Sequence, residues 1–572
     1  MEKSAIIHNM NESYAYKIGE HQYLIRLRTK KDDFNQVTLK YVEKYLRERR
    51  VKDHPTFSIE MRKVASTSIY DYYEAIISDE MDFFGRNFSM IAARYYFVLD
   101  DGASKVYYGN YKFFEKEPYE SIEMFNLVFH QADRSFFKTP EWSKGAIIYQ
   151  IFPERFAPTD NNFSSTWNEV PMGVRTRTNG TLRGIIQKID YIKDLGVDAI
   201  YLNPIFKSNS SHRYDTIDYM AIDPLLGTDE DFRELVDTCH NNDIKVILDL
   251  VFNHSSTQFF AFQDLLKNQE KSKYVDWYFV SSFPVAINFP PNYKGFSFGP
   301  YMPKLNTENP DCREYFLDVT KHYLRDFNVD GYRLDVADEV THDFWRVFRK
   351  ESKKYNANCL IMGEVWYEST PYLRGDEFDS IMNYTIYDGI RNFLKGNLSL
   401  DQFIDIIERE RGETPLTYYH NSNILIGSHD TDRIYTFLDN DKNKFLQAVS
   451  LLLFLPGSPL IYYGDEIMME GSYDPDCRRG MIFDKHNEDI LNYVKKLIKI
   501  KHLPVVKYGD IHVEKINSSG LKITRFIDEN QINMIINFNN EIYLDELKGK
   551  FDLINEKELN GIVKENQIII YK

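Results

Sequence analysis

Between Ile147 and Glu466, short apolar runs alternate with amphipathic stretches eight times, and this alternation constrains the fold more than any other feature. The runs are IIYQIFP (147–153), AIYLNPIF (199–206), VILDLVFN (246–253), GYRLDVA (331–337), LIMGEVW (360–366), SIMNYTIYD (380–388), ILIGSHDT (424–431) and SPLIYYGDE (458–466). The segments between them carry helical periodicity. In TLRGIIQKIDYIKDLG, residues Leu182, Ile185, Ile186, Ile189, Ile192 and Leu195 share one face, and Gly196 follows as a C-cap. TDEDFRELVDTCHNND opens with Thr228 three residues before Asp231, a capping-box-like start. Strand–helix repetition of this kind builds a parallel sheet, and eight strands fit a closed (β/α)8 TIM barrel better than an open one.

The alternating region exceeds the ~250 residues typical of such a barrel. The excess falls between the third and fourth runs, so residues 254–330 are expected to hold an inserted subdomain, with the third barrel helix at its end. The barrel itself is expected over 139–253 and 331–502. Residues 1–138 are rich in β-branched and aromatic segments such as TFSIEMRKVAS, RYYFVLDDGAS and KVYYGNYKFF, which predict an N-terminal β-sandwich domain. After Leu503 the alternation of IHVEKI, LKITRFI and INMIINF predicts a C-terminal β-sandwich domain over 503–572.

Composition narrows the function. The 572 residues carry a net charge of −16 with no run of five Lys or Arg, which argues against a nucleic-acid partner. The apolar run at 451–455 stops at Pro456, well short of the ~20 residues that span a bilayer, so no membrane partner is expected. The N-terminus lacks the apolar stretch of a secretory signal, and the four cysteines form no CxxC pair. A disulfide framework and a zinc site are both disfavoured, and a cytoplasmic, reducing location is expected. The 41 Tyr, 40 Phe and 5 Trp are a weak hint of sugar-binding surfaces, because flat hydroxyl-rich ligands use aromatic faces.

The chemistry is expected at the C-terminal ends of the strands, where such barrels place catalytic groups. Polar residues interrupt the apolar runs there: Asp249, Asn253 and His254 on the third, Arg333, Asp335 and Asp338 on the fourth, Glu364 on the fifth, His429 and Asp430 on the seventh. Asp335 and Glu364 lie at corresponding depths on adjacent strands. Facing carboxylates ~5–5.5 Å apart suit retaining glycoside hydrolysis, one as nucleophile and one as acid and then base. Arg333 points to the same side as Asp335 and is expected to keep it ionised. A single Asp at a strand end is more often structural, and Asp249 reads as an anchor for a neighbouring loop. Three acids at three strand ends in one cavity are costly, which favours function. HExxH, GxxxxGK[ST] and GxGxxG are all absent, so metalloprotease and nucleotide chemistry lack support.

Four ordered segments, DLVFNH (249–254), GYRLDVADE (331–339), GEVW (363–366) and GSHDTDR (427–433), resemble the sequence regions of the α-amylase superfamily, glycoside hydrolase family 13. GVDAIYLNPIF (196–206) and GSPLIYYGDE (457–466) extend the likeness. MPKLN (302–306) and YQIFPERF (149–156) are similar to the cyclomaltodextrinase, maltogenic amylase and neopullulanase subgroup. The resemblance implies Asp335 as nucleophile, Glu364 as general acid/base and Asp430 as transition-state stabiliser. It implies His254, His429 and Arg333 around the sugar at the cleavage subsite and Tyr214 stacked beneath it. Asp474 and Arg478 would grip the non-reducing end, and Trp366 and Glu339 would line the leaving-group side. It also implies cleavage of α-1,4 bonds in cyclodextrins and maltodextrins, with pullulan a further candidate, and a homodimer in which the N-terminal domain, carbohydrate-binding-like, narrows the partner's site. No cofactor is required. Pro158 replaces the Asn of calcium-binding relatives; Asp160, Asn161 and Asn162 still offer oxygens, so a structural Ca2+ is left open, and no residue is assigned to a metal. Asp338 and Tyr367 stand where many relatives have Asn and His. These departures keep a mainly transglycosylating glucanotransferase open beside the hydrolase, with a non-catalytic glucan-binding protein as the remaining alternative.

Overall fold

The computed structural model describes residues 1–10, 12–48, 56–83, 85–129, 138–484 and 487–572. Two compact units are present. One comprises Met1–Thr139, Thr370–Asp376 and Ser399–Tyr419, and the other comprises Pro140–Ser369, Glu377–Leu398 and His420–Lys572.

The first unit is built on two antiparallel sheets. Strands Ala15–Lys17, Gln22–Lys30, Tyr70–Ser78 and Arg62–Ser66 form one; Lys112–Phe114, Lys105–Gly109, Ala92–Asp100, Gln36–Glu43 and Thr56–Glu60 run in that order through the other. Side chains alternate across a strand, so Val37, Leu39 and Tyr41 reach the core together, as do Tyr95, Phe97 and Leu99. The helix Leu400–Glu413, opened by a Ser399–Gln402 capping box, packs with these sheets, and Glu408 accepts a hydrogen bond from the Ser66 amide at 2.7 Å. On the inner strands Glu74 lies between Arg26 and Arg411, with contacts of 2.6–3.0 Å. Burial alone would raise the Glu74 carboxyl, but Arg411 and Arg26 outweigh it and hold it at about 2.

The second unit holds the barrel. Its strands are Ile148–Ile151, Ala199–Leu202, Lys245–Leu250, Gly331–Leu334, Leu360–Gly363, Ser380–Ile381, Asn423–Leu425 and Ser458–Tyr462, paired in parallel in chain order, with the eighth against the first. A parallel bridge between Met382 and Asn423 joins the sixth to the seventh and closes the ring. Both faces are covered, which is why the strands read as continuous apolar runs rather than alternating ones. A four-stranded antiparallel sheet, Asp510–Ile516, Gly520–Ile527, Asn530–Asn537 and Ile568–Tyr571, follows the barrel within this unit.

Two local readings change. The run 380–388 contributes only two strand residues, because Asn383 caps the Ile386 amide and starts the helix Tyr384–Lys395. The stretch 182–195 is two helices, Leu182–Ile186 and Ile189–Leu195, although Gly196 does end the second in the left-handed conformation, at φ 88°. The capping box at Thr228 and Asp231 is present. Among the described residues no helix is long and apolar enough to cross a membrane.

Candidate active site

The register of three neighbouring strands assembles the site. Asp249 pairs with Arg333, and Leu334 pairs with Gly363, so Asp335 and Glu364 leave their strands side by side. Their amides extend the ladder, Asp335 N donating to Leu250 O and Glu364 N to Leu334 O, both at 3.0 Å. Because alternate residues face the same way, Arg333 and Asp335 point together into the barrel mouth.

One guanidinium serves three carboxylates there. Arg333 Nη1 donates to Asp249 Oδ1 at 3.0 Å and to Asp335 Oδ1 at 2.8 Å, and Nη2 lies 2.9 Å from Glu364 Oε1 as an ion contact. Asp249 is saturated: Tyr201 and Tyr214 hydroxyls donate to its Oδ2 at 2.5 and 2.8 Å, and it has no exposure. It is the anchor the sequence suggested, although what it anchors is Arg333 and Tyr214. Asp335 Oδ2, by contrast, has no hydrogen-bond partner among the described residues. Arg333 does act to keep Asp335 ionised, as expected, but other effects oppose it. Burial pushes the Asp335 carboxyl well above its ordinary value, Arg333 opposes this, and the Glu364 and Asp249 carboxylates add to the rise. A single cation cannot neutralise three anions, so the cluster favours keeping a proton.

Glu364 is held on both oxygens. The Val336 amide donates to Oε2 at 2.8 Å and the Trp366 indole to Oε1 at 3.1 Å. Val336 makes its bond from φ 44°, a left-handed conformation rare for a β-branched residue. Such strain costs ~1–3 kcal/mol and persists where the surroundings impose it.

Around these acids lies a cavity of about 990 Å3, with Tyr214, His254, Glu339, Trp366, Asp430, Asp474 and Arg478 on its wall beside Asp335 and Glu364. Arg478 joins Asp430 (3.0 Å) to Asp474 (2.8 Å). Arg333 and His429 do not line it. Both are fully buried behind the wall, and His429 touches it through Tyr214 (2.6 Å) and Asp430 (3.0 Å). Burial, with Arg478 and Arg333 nearby, keeps His429 neutral. His254 is also neutral, lowered to about 3 chiefly by burial, and its Nε2 has no hydrogen-bond partner among the described residues. Glu339 meets Lys304 of the MPKLN segment at 3.3 Å and Asn253 at 3.2 Å.

Sequence reasoning missed several wall residues. Phe296 stacks on His254 (4.9 Å, 24°), His212 continues the Tyr214–His429 ring column (5.9 and 5.3 Å), and Tyr387 and Arg391 come from the helix after the sixth strand. His212 stands two residues before Tyr214 and could have been found there. Phe296 lies far from any strand end and carried no signal. In the loop with Pro158, Asp160 Oδ1 accepts from Gln187 and Asn162 O from Asn179, both at 2.8 Å. Among the described residues no group of three His, Cys, Asp or Glu could hold a metal ion.

Residues 150–500 match the family model described as the α-amylase catalytic domain, and residues 1–131 match that of the α-amylase N-terminal Ig-like domain. The chain belongs to the α-amylase family of glycoside hydrolases. Similar relatives include a maltogenic α-amylase from Bacillus acidopullulyticus, 40% identical over 508 residues, covering 88% of this chain and 85% of that one. A cyclomaltodextrinase from Thermoanaerobacter pseudethanolicus is 38% identical over 571 residues, covering 98% and 97%. A solved structure of a cyclomaltodextrinase superposes with a TM-score of 0.88 at 32% identity over the whole of both chains. Like its relatives, this α-amylase-family member is an α-glucan hydrolase.

Proposed function

We propose that the protein hydrolyses α-1,4-glucosidic bonds of cyclodextrins and maltodextrins, and of pullulan, with retention of configuration through a covalent glycosyl-Asp335 intermediate. One observation carries this reading: the Arg333 fork binds Oδ1 of Asp335, whose Oδ2 has no hydrogen-bond partner among the described residues, and reaches Glu364 beside it. A planar fork that touches both carboxylates supports the short separation of retaining enzymes over the ~6.5–9.5 Å of inverting ones.

In the first step Asp335 Oδ2 bonds to the anomeric carbon as the C1–O bond to the leaving sugar breaks, and Glu364 delivers a proton to that oxygen. In the second, water attacks C1, Glu364 takes its proton and Asp335 leaves as carboxylate. Asp430, fixed by Arg478, would accept hydroxyls of the distorted ring, and the neutral His254 would offer Nε2 to another. Tyr214, its hydroxyl held by Asp249 and His429, would stack beneath the sugar. Asp474 and Arg478 would hold the non-reducing end, and Glu339 and Trp366 the leaving-group side. Arg333 and His429 act from behind the wall, orienting Asp335 and Tyr214.

The relatives named for cyclomaltodextrin and maltogenic activity support small substrates over polymeric starch. A homodimer using residues 1–138 and a cytoplasmic location belong to the same reading, and four buried free cysteines are compatible with a reducing compartment. Proton NMR of the first product formed from β-cyclodextrin should give the α-anomer; a β-anomer would exclude the glycosyl-Asp335 route. Rates on β-cyclodextrin should exceed those on soluble starch, and equal rates would remove the small-substrate assignment.

A further inference from the structure

We infer that Trp366 is a positioning residue that decides which oxygen of Glu364 carries the catalytic proton. The inference rests on the acid/base reading of Glu364. A protonated carboxyl has one hydroxyl and one acceptor-only oxygen. Oε1 faces the indole N–H of Trp366 at 3.1 Å and the Arg333 guanidinium at 2.9 Å. A proton on Oε1 would face the indole N–H and sit beside the Arg333 cation, so Oε1 is the acceptor. Oε2 is bonded by the uncharged Val336 amide and keeps a lone pair for the hydroxyl role away from that cation. The transferred proton therefore sits on Oε2.

The indole is well placed to enforce this. It lies flat on Tyr384, ring centroids 3.9 Å apart at 12°, and Tyr384 is buried at the start of the Tyr384–Lys395 helix. The sixth strand's end thus sets the Trp366 position, while 40% of the residue remains exposed to the leaving-group side. Its N–H makes the one hydrogen bond to Oε1 among the described residues; Arg333 adds charge there. Losing that bond frees Oε1 to compete for the proton and withdraws a donor from the ionised form.

The test is Trp366→Phe, which keeps an aromatic face on Tyr384 and removes the N–H. Trp366 is part-exposed, so the core is preserved, and an unchanged thermal melt checks it. The probes are 4-nitrophenyl and 4-methoxyphenyl α-maltosides, aglycones of matched size of which only the second needs strong acid assistance. W366F should lower kcat on the methoxyphenyl substrate about tenfold more than on the nitrophenyl one. A rise in KM with equal losses on both aglycones would overturn the inference and leave Trp366 a sugar-stacking residue. Glu364→Gln separates the two levels. If E364Q is sensitive to the leaving group while W366F is not, the Trp366 inference fails alone; if E364Q is insensitive, the acid/base assignment fails with it.

Discussion

Two buried ion clusters, one in each unit, use the same residue types to opposite effect. In the first unit Glu74 has two guanidiniums, Arg26 and Arg411, and its carboxyl is held at about 2. In the second, Arg333 faces Asp249, Asp335 and Glu364, and Asp335 is pushed well above its ordinary value. Both clusters are buried at strand positions, so depth does not distinguish them. Charge balance does. An excess of cations fixes a carboxylate as a structural strut, whereas an excess of anions leaves a proton to move and one carboxylate oxygen, Asp335 Oδ2, without a hydrogen-bond partner among the described residues. Sites kept in such an unfavourable balance are where fold stability is traded for chemistry.

Substitutions can break this contrast directly. Asp335→Asn should lower kcat on β-cyclodextrin on the order of 10^4-fold or more, as loss of a nucleophile does. It should also raise the Tm, since it removes one anion from an anion-rich cluster while Arg333 keeps Asp249 and Glu364. A Tm that falls would contradict the charge-balance account. Glu74→Gln is the mirror case. Two buried guanidiniums lose their counter-ion, so stability of the first unit should fall by roughly 3–5 kcal/mol in chemical denaturation, with kcat per folded molecule unchanged. Loss of kcat with stability intact would reverse the roles assigned to the two clusters.

The pH dependence of stability sharpens the comparison further. Glu74 has a folded value near 2 against an ordinary 4.5, so its contribution is complete above about 4.5 and is lost as the pH falls through about 2. Asp335 runs the other way. Its folded value is raised above 3.8, so its destabilising effect grows as the pH rises from 3.8 through that folded value. Wild type and E74Q should therefore converge in stability below about pH 2.5, while wild type and D335N should diverge as the pH rises from 4 to 7. Parallel curves in both pairs would refute the assignment. The smallest effect is expected from Lys304→Met, which removes a cation from Glu339. Product distribution at high maltose should shift by about two- to threefold between hydrolysis and transfer, read by chromatography.

Much of this was legible in the chain. The eight apolar runs are strands buried on both faces, and position at a strand's C-terminal end located Asp335, Glu364 and Asp430 without any tertiary information. The sixth strand was overread because an apolar run does not reveal that Asn383 caps a helix within it. The charge balance at Asp335 was half legible: pairing with Arg333 is visible two residues away, whereas competition from Asp249 and Glu364 depends on register across three strands. Phe296 and the Trp366–Tyr384 stack were illegible for a related reason: their partners come from an insertion and from another strand's end.

The central claim is that Asp335, the under-neutralised carboxylate, forms the covalent bond to sugar. A 5-fluoro-α-glucosyl fluoride, which forms its glycosyl-enzyme faster than it is hydrolysed, tests it by peptide mass spectrometry of the inactivated protein. The account predicts one added 5-fluoroglucosyl group, on the peptide containing Asp335 and on that side chain. Label on Glu364 or Asp249, or stoichiometric turnover with no adduct, would contradict it.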